Sequence, residues 1–481
     1  MQYQAPDVYI EDSKSGSQSI SQASASVGAM IGATRSGEIG VPTLVTSWTD
    51  FINKFANGLD TPFISTSYLP YAVYGFFANG GKQLYVNRVA HSTAKKASKE
   101  GTNLTVTAIS EGTWGNDITL KIVKSADWVS ESNEEFDVEI SIGSSVSTLV
   151  KGVFTDTIAD AILNDSKAKN WIENVVVNIE PTVALTEETI TLDGGVDGVS
   201  DLTDSDYVNA LTNLDEVIEE IVMVAIPGVT TTTVRDGLLS YCDNNKVFPI
   251  ITAPVGSSVS EVKALRKSIS SQYGAMPYPW GILTDPLTNK DKVVPPEGHY
   301  MGVCARIITN RGVHKAPAGT EATLRGFNSM EISLSKADCE ILNPVGVICL
   351  LTRRNYGLVV WGVRGLNSSD TTMRYVSDHF LNINIRKSLY EGTQFAVFEP
   401  NDESLWIGVK STCKAFLETL RAKGAFKGKG EGDAYYVVCD SSNNTEATIK
   451  EGILNIEIGY APVKPSEFVV IKLAHSIESA E

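Results

Sequence analysis

From residue 221 onward, short apolar runs alternate with segments of helical period, and this alternation leaves the chain few folds to choose from. IVMVAIPG (residues 221–228) is an unbroken apolar run, followed by helical spacing around residues 234–241. VFPIITAP (247–254) is the next run, then a helix to about residue 272, then WGILTDP (280–286). Ser258 and Glu261 open that second helix as a capping box, each side chain satisfying a backbone N–H that has no partner within the helix. Strands alternating with helices require a parallel sheet with right-handed crossovers. All three apolar runs are expected to belong to that sheet.

A different texture fills residues 92–190. LTVTAI, DITLKIV, FDVEISI, STLVKGVF, VVVNI and TITL alternate apolar with polar residues and are separated by turn residues such as Glu111 with Gly112 and Gly115 with Asn116. Period-two alternation in β-branched segments describes antiparallel, half-exposed strands. The segment LDGGVDGVSD (192–201) closes this region.

The flanks return to dense α/β packing. Residues 27–33 form a small-residue run with the pattern of a buried strand, and Ser47 is placed to cap a short helix through Trp48, Phe51 and Phe55. A helix over 67–78 ends at Gly80 and Gly81, and QLYVNRV (83–89) is a strand. Towards the other end, YGLVVWGVRGL and FAVFEP are expected as strands, and 375–392 and 402–422 as helices. YYVVCD, ILNIEIGYAPV and FVVIKL are expected to close the chain as strands.

Composition narrows the function. The 481 residues are 42% hydrophobic and 20% charged, as in an ordinary globular protein, and too many for one core. A formal charge of −17 opposes direct nucleic-acid binding, which needs cations to displace counterions from phosphate. No apolar run is long enough to span a bilayer, so no membrane insertion is expected. The six cysteines are scattered without a C-x-x-C and are expected as reduced, structural thiols.

No residue set spells out catalysis. GAFKGKG (424–430) has three residues between its first glycines, and Gly430 occupies the place where a phosphate loop carries its hydroxyl. Asp193, Asp197, Asp201 and Asp204 have roughly the spacing of a calcium loop, but Gly195 and Asp204 stand where ligands of another type belong. The five histidines form no H-x-x-x-H. A hydrolase would have to draw on His299 or His314 with an acid from the parallel-sheet region. No nucleophile, base and orienting group can be named together. The expectation is a non-enzymatic protein with no cofactor and no metal.

Both ends carry short strands: Val8, Tyr9 and Ile10 near the start, and Phe468, Val469, Val470, Ile471, Lys472 and Leu473 near the finish. An unpaired strand invites another chain. Phe468, Val470 and Lys472 face one way and the intervening residues the other; Val8 and Ile10 share a face opposite Tyr9.

Several stretches together resemble the contractile phage tail sheath family. APDVYIED resembles that family's opening, followed by SASVGAMIGATRSG, LVTSWTDF and YAVYGFFANGGKQLYVNRV. LDGGVDG, ALTNLDEVIEEIVMVAIPG, YPWGILTDP, VPPEGHYMGVCARI and RGVHKAPAG come next, in the family's order. LNPVGV, LVVWGVRGL, MRYVSDHF, EGTQFAVFEPNDESLW and LNIEIGYAPVKPSEFVVIKL complete the series. Asp7 replaces the usual glycine, His314 follows RGV where Trp is common, and NYGLVVWG departs from the family's glycine–arginine loop.

The resemblance implies a structural subunit that stacks in rings around a tail tube, joined by terminal arms that add strands to neighbouring copies. Contraction would drive the tube through a bacterial envelope for genome delivery, without nucleotide. Implied partners are the chain itself, the tail tube protein, and baseplate and tail terminator proteins; the implied location is the virion tail, with assembly in the host cytoplasm. A phage-tail-like bacteriocin or another contractile injection system is the alternative within the family.

The expected fold class is α/β (α+β) multidomain. An exchange arm (1–22) precedes an inner core built from 23–91 with 344–463. An outer β-rich insertion (92–198), an α/β middle domain (199–343) and a C-terminal exchange strand and tail (464–481) complete it. Lys410, Lys414 and Arg421 share one helix face, at steps that return to the same side. They are the expected contact with an acidic tube.

Overall fold

The computed structural model describes residues 20–57, 61–126, 135–143 and 146–468. Their contacts divide into two compact units. One comprises residues 20–24, 312–314 and 381–468; the other contains the remaining described residues up to 380.

The larger unit is organised around a five-stranded sheet in the order Phe248–Ile250, Met223–Ala225, Gly28–Gly32, Leu84–Arg88, Thr43–Val45. All neighbours are parallel except the last pair. Every residue of Gly28–Gly32 is buried, as a parallel strand covered on both faces must be. Small residues are needed there: a Cβ on Gly28 would lie 2.4 Å from Met301 Sδ, and one on Gly32 would lie 2.9 Å from Leu69 Cβ. Helices Leu69–Ala78 and Glu297–Arg311 approach by the same device. A Cβ on Gly298 would lie 2.1 Å from the Ala72 carbonyl oxygen, and one on Gly302 would lie 2.4 Å from that of Phe76.

This pairing corrects the expected inner core. Gly28–Gly32 is hydrogen-bonded to Met223–Ala225 of the middle segment, so strands from residues 28–88 and 223–250 share one sheet, while residues 381–463 lie in the other unit. Strand pattern shows that a run is buried in a sheet but not which run lies beside it. WGILTDP is a second correction. Its strand, Gly281–Thr284, pairs antiparallel with Asp291–Val294 and Ser329–Met330, apart from the parallel sheet. A four-residue apolar run carries too little periodicity to reveal its direction. The helix opened by Ser258 and Glu261 has the expected capping box and ends at Ser268, four residues early.

The outer region consists of two antiparallel sheets. One runs Glu188–Thr191, Ile118–Lys124, Phe136–Ile142, Val146–Val153; the other runs Lys96–Glu100, Leu104–Glu111, Ile172–Val177. Alternate residues Leu104, Val106 and Ala108 are buried with Trp114, Ile122 and Ile140 in one apolar cluster. Lys96–Glu100 has no apolar alternation beyond Ala97, and its sequence, KASKE, gave no strand signal.

In the smaller unit, helix Glu403–Ala422 opens on Asp402, whose carboxylate accepts from Leu405 N at 3.0 Å. It buries Trp406, Val409, Cys413, Phe416, Leu417 and Leu420. Strands Tyr435–Val438 and Glu457–Tyr460 pair antiparallel beside it. FAVFEP is not a strand: residues Gln394–Ala396 form one 3-10 turn, and Phe398 takes φ 68° with its side chain fully exposed. Its apolar run satisfies the pattern of a buried strand, but Phe398 finds no core within its unit to enter.

Candidate assembly surface

The described start of the chain is held by the helix Val376–Gly392. Ala23 N donates to Ser388 Oγ at 2.9 Å, and Asn384 Nδ2 donates to Ala23 O at 2.9 Å. Gln22 Nε2 donates to Asn384 Oδ1 at 3.1 Å, while Lys423 Nζ donates to Gln22 Oε1 at 2.7 Å. Ile20 lies over Gly392, where an added Cβ would come within 2.4 Å of its Cγ1. Asn384 and Ser388 are both buried, so their bonds to Gln22 and Ala23 are partly enclosed, while the Lys423 bond lies at the surface.

The other end departs from the same unit. Lys427 N donates to Ala461 O at 2.8 Å, and Val463 N to Ala425 O at 3.1 Å. Phe468 is the last described residue, exposed and outside any strand. Val8, Tyr9 and Ile10, and Val469, Val470, Ile471, Lys472 and Leu473, lie outside the described residues.

Between these points is the two-stranded sheet. Ala461 N donates to Ala434 O at 2.9 Å, so the antiparallel alternation turns the backbone groups of Ile458 and Tyr460 away from the partner strand. Among the described residues, no strand pairs with that side of Glu457–Tyr460. On the other strand, Tyr435 O is already occupied by Gly432 N at 2.8 Å. The outward side of a sheet's last strand is where an added strand pairs in β-augmentation.

The structure places the basic stripe differently from a free charged face. Lys410 Nζ is 2.9 Å from Asp440, Lys414 Nζ 2.7 Å from Glu431, and Arg421 2.5 Å from Glu418. Ser442, with Lys410, holds the Asp440 carboxyl down to about 2. Glu418 also accepts from Tyr435 Oη at 3.1 Å, so these carboxylates tie the long helix to the segments flanking the sheet. The sequence pattern showed three cations on one side but not the acids, two of which come from distant loops.

The other candidates disperse. Asp193 pairs with Lys99 at 2.6 Å, and Asp197 accepts from Thr113 N at 2.7 Å and its hydroxyl at 2.8 Å. Asp201 accepts from the Thr93 hydroxyl and Asp204 from that of Thr231, two bonds to different segments of the chain. His299 is fully buried against Phe327, with ring centroids 3.7 Å apart, and burial holds its imidazole down to about 3. Neither ring nitrogen has a hydrogen-bond partner, so no acid orients it. His314 is half-buried in the turn after Glu297–Arg311. GAFKGKG is the loop between the long helix and Tyr435–Val438, with no helix following its glycines.

Two family models match in series: "Phage tail sheath protein central domain" over residues 201–365 and "Phage tail sheath C-terminal domain" over 368–474. The tail sheath protein of Escherichia phage P2 is 25% identical over 255 residues, which is 52% of this chain and 62% of that protein. The crystal structure of a sheath tail protein from Desulfitobacterium hafniense superposes with TM-score 0.64 at 16% identity, covering 90% of this chain and 94% of that one. The anti-feeding prophage helical sheath in its contracted state superposes with TM-score 0.61 at 20% identity, covering 99% of this chain and 100% of that one. At these identities the structural likeness establishes a shared fold.

Proposed function

The chain belongs to the phage tail sheath family, and from that premise we propose that it is a structural subunit which polymerises around a tail tube and contracts to drive the tube through a bacterial envelope. The observation that carries this reading is the pair of sheath family matches, over residues 201–365 and 368–474. Segments 8–10 and 468–473 of neighbouring copies would add as strands to the sheet of Tyr435–Val438 and Glu457–Tyr460. Main-chain bonds would supply attachment, and alternating side chains the register. In this reading residues 13–19, SKSGSQS, have the polar composition of a linker and would let bulky surfaces slide while strand pairing persists.

In this reading the chain's partners are further copies of itself, a tube protein, a baseplate and a tail terminator, and it works without catalysis as part of a tail. The helix bearing Lys410, Lys414 and Arg421 stays our candidate for the tube contact. An acidic tube would have to compete with Asp440, Glu431 and Glu418 for those cations. A second reading, the sheath of a contractile injection system, is favoured by one observation. The neighbours matched over 99% of this chain include the anti-feeding prophage sheath and the PVC sheath.

Deletion of residues 1–18 tests the proposal. The full chain should form hollow striated cylinders by negative-stain microscopy, and the deletion variant should remain a folded monomer. Normal cylinders from that variant would refute arm-mediated assembly.

A further inference from the structure

A surface cavity of about 320 Å³ lies at the end of helix Val259–Ser268, walled by Arg266, Lys267, Ser270 and Ser271 and, across it, Asn367 and Ser368. Its lining is largely hydroxyls, an amide and cations. Arg266 is the unusual member. Only 6% of it is exposed, and its Nη1 donates to Ile269 O at 2.9 Å, which accounts for the end of the helix. Its Nε is buried with no hydrogen-bond partner.

Two carboxylates reach side chains of the lining. Asp243 accepts from Ser271 Oγ at 3.1 Å, and Asp370 from Thr372 N at 2.7 Å and Asn367 Nδ2 at 3.4 Å. Behind the lining, Arg374 Nε donates to Ser368 O at 3.0 Å. Burial holds the Arg266 guanidinium down to about 10, with no carboxylate offsetting it. A buried charge without a counter-charge is costly, and a buried donor without an acceptor adds to that cost. An oxyanion in the cavity would supply the missing counter-charge, because guanidinium and hydroxyl groups together match its several acceptor oxygens.

We propose that the cavity beside Arg266 binds a small tetrahedral oxyanion of the phosphate class, held by Arg266 and Lys267 with the hydroxyls of Ser270, Ser368 and Ser369 completing its shell. Occupancy would tie the end of helix Val259–Ser268 to the loop at 366–369, two segments otherwise separated by the cavity.

The test is calorimetric titration of the full chain with inorganic phosphate, ionic strength held constant with chloride. Saturable binding of one phosphate per chain is expected at about millimolar affinity. Lys267 is exposed, so Lys267→Glu should fold as the parent does and bind phosphate at least roughly tenfold more weakly. Arg266→Gln should abolish binding, and if it fails to fold, Lys267→Glu carries the test alone. Absence of saturation, equal competition by chloride, or undiminished affinity in Lys267→Glu would overturn the assignment.

Discussion

Asn384 grips the backbone of Ala23: its Nδ2 donates to the Ala23 carbonyl at 2.9 Å while its Oδ1 accepts from Gln22. Two residues at the described start of the chain are thereby fixed from inside a helix. Asn384→Leu removes both bonds and leaves a carbonyl without its donor, a local cost of roughly 1–3 kcal/mol. We expect hydrogen exchange at residues 22–24 to accelerate with helical content unchanged, and assembly to fall. Gly392→Val should act in the same direction by displacing Ile20. Unchanged exchange in both variants would show that the arm is held by something else.

The ion pair of Lys410 with Asp440 makes a separate prediction. Because the pair is partly exposed, charge reversal at Lys410 should lower the denaturation midpoint slightly and in a salt-dependent way. The swapped variant Lys410→Glu with Asp440→Lys should recover most of the loss, as a double-mutant cycle would record. If the tube is the true partner, the swap restores stability but not tube binding.

Phe398 is a third target. A bulky residue at positive φ with a fully exposed ring is an outlier, and strain of this kind is retained where a surface has work to do. Phe398→Asp should leave the melting temperature within about a degree or two, since nothing in its unit packs on the ring. It should sharply reduce polymer yield, read by sedimentation. Normal polymerisation would remove Phe398 from the contact surface.

Glu297 sets a pH dependence. Burial raises its carboxyl from 4.5 to about 7, with Gly228 N donating to it at 3.2 Å. Its folded value lies above its unfolded one, so its stabilising contribution is full below pH 4.5 and is lost as pH rises through about 7. Glu297→Gln should therefore gain stability relative to the parent between pH 5 and 8, on the order of 2–3 kcal/mol by denaturant unfolding. His299 acts in the opposite sense, losing its contribution as pH falls from 6.5 towards 3, but it is present in both proteins and cancels. A pH-independent difference would contradict the buried-acid account.

What could be read in advance followed from local physics. The helix caps at Ser47 and Ser258 were legible because capping needs only a residue and its near neighbours. The outer sheets were legible because half-buried strands write their own alternation. Pairing was not legible. Nothing within Gly28–Gly32 distinguishes Met223–Ala225 as its neighbour, and the glycines that let helices Leu69–Ala78 and Glu297–Arg311 approach read only as helix weakeners. The basic stripe was visible, but Glu431 and Asp440 lie outside the helix that carries its cations.

The central claim is that strands pass between copies, and a near-atomic map of the assembled polymer tests it most directly. The account predicts residues 8–10 and 468–473 hydrogen-bonded to the Tyr435–Val438 and Glu457–Tyr460 sheet of adjacent copies. Both segments folded onto their own chain, with that edge unoccupied or covered by something else, would contradict it.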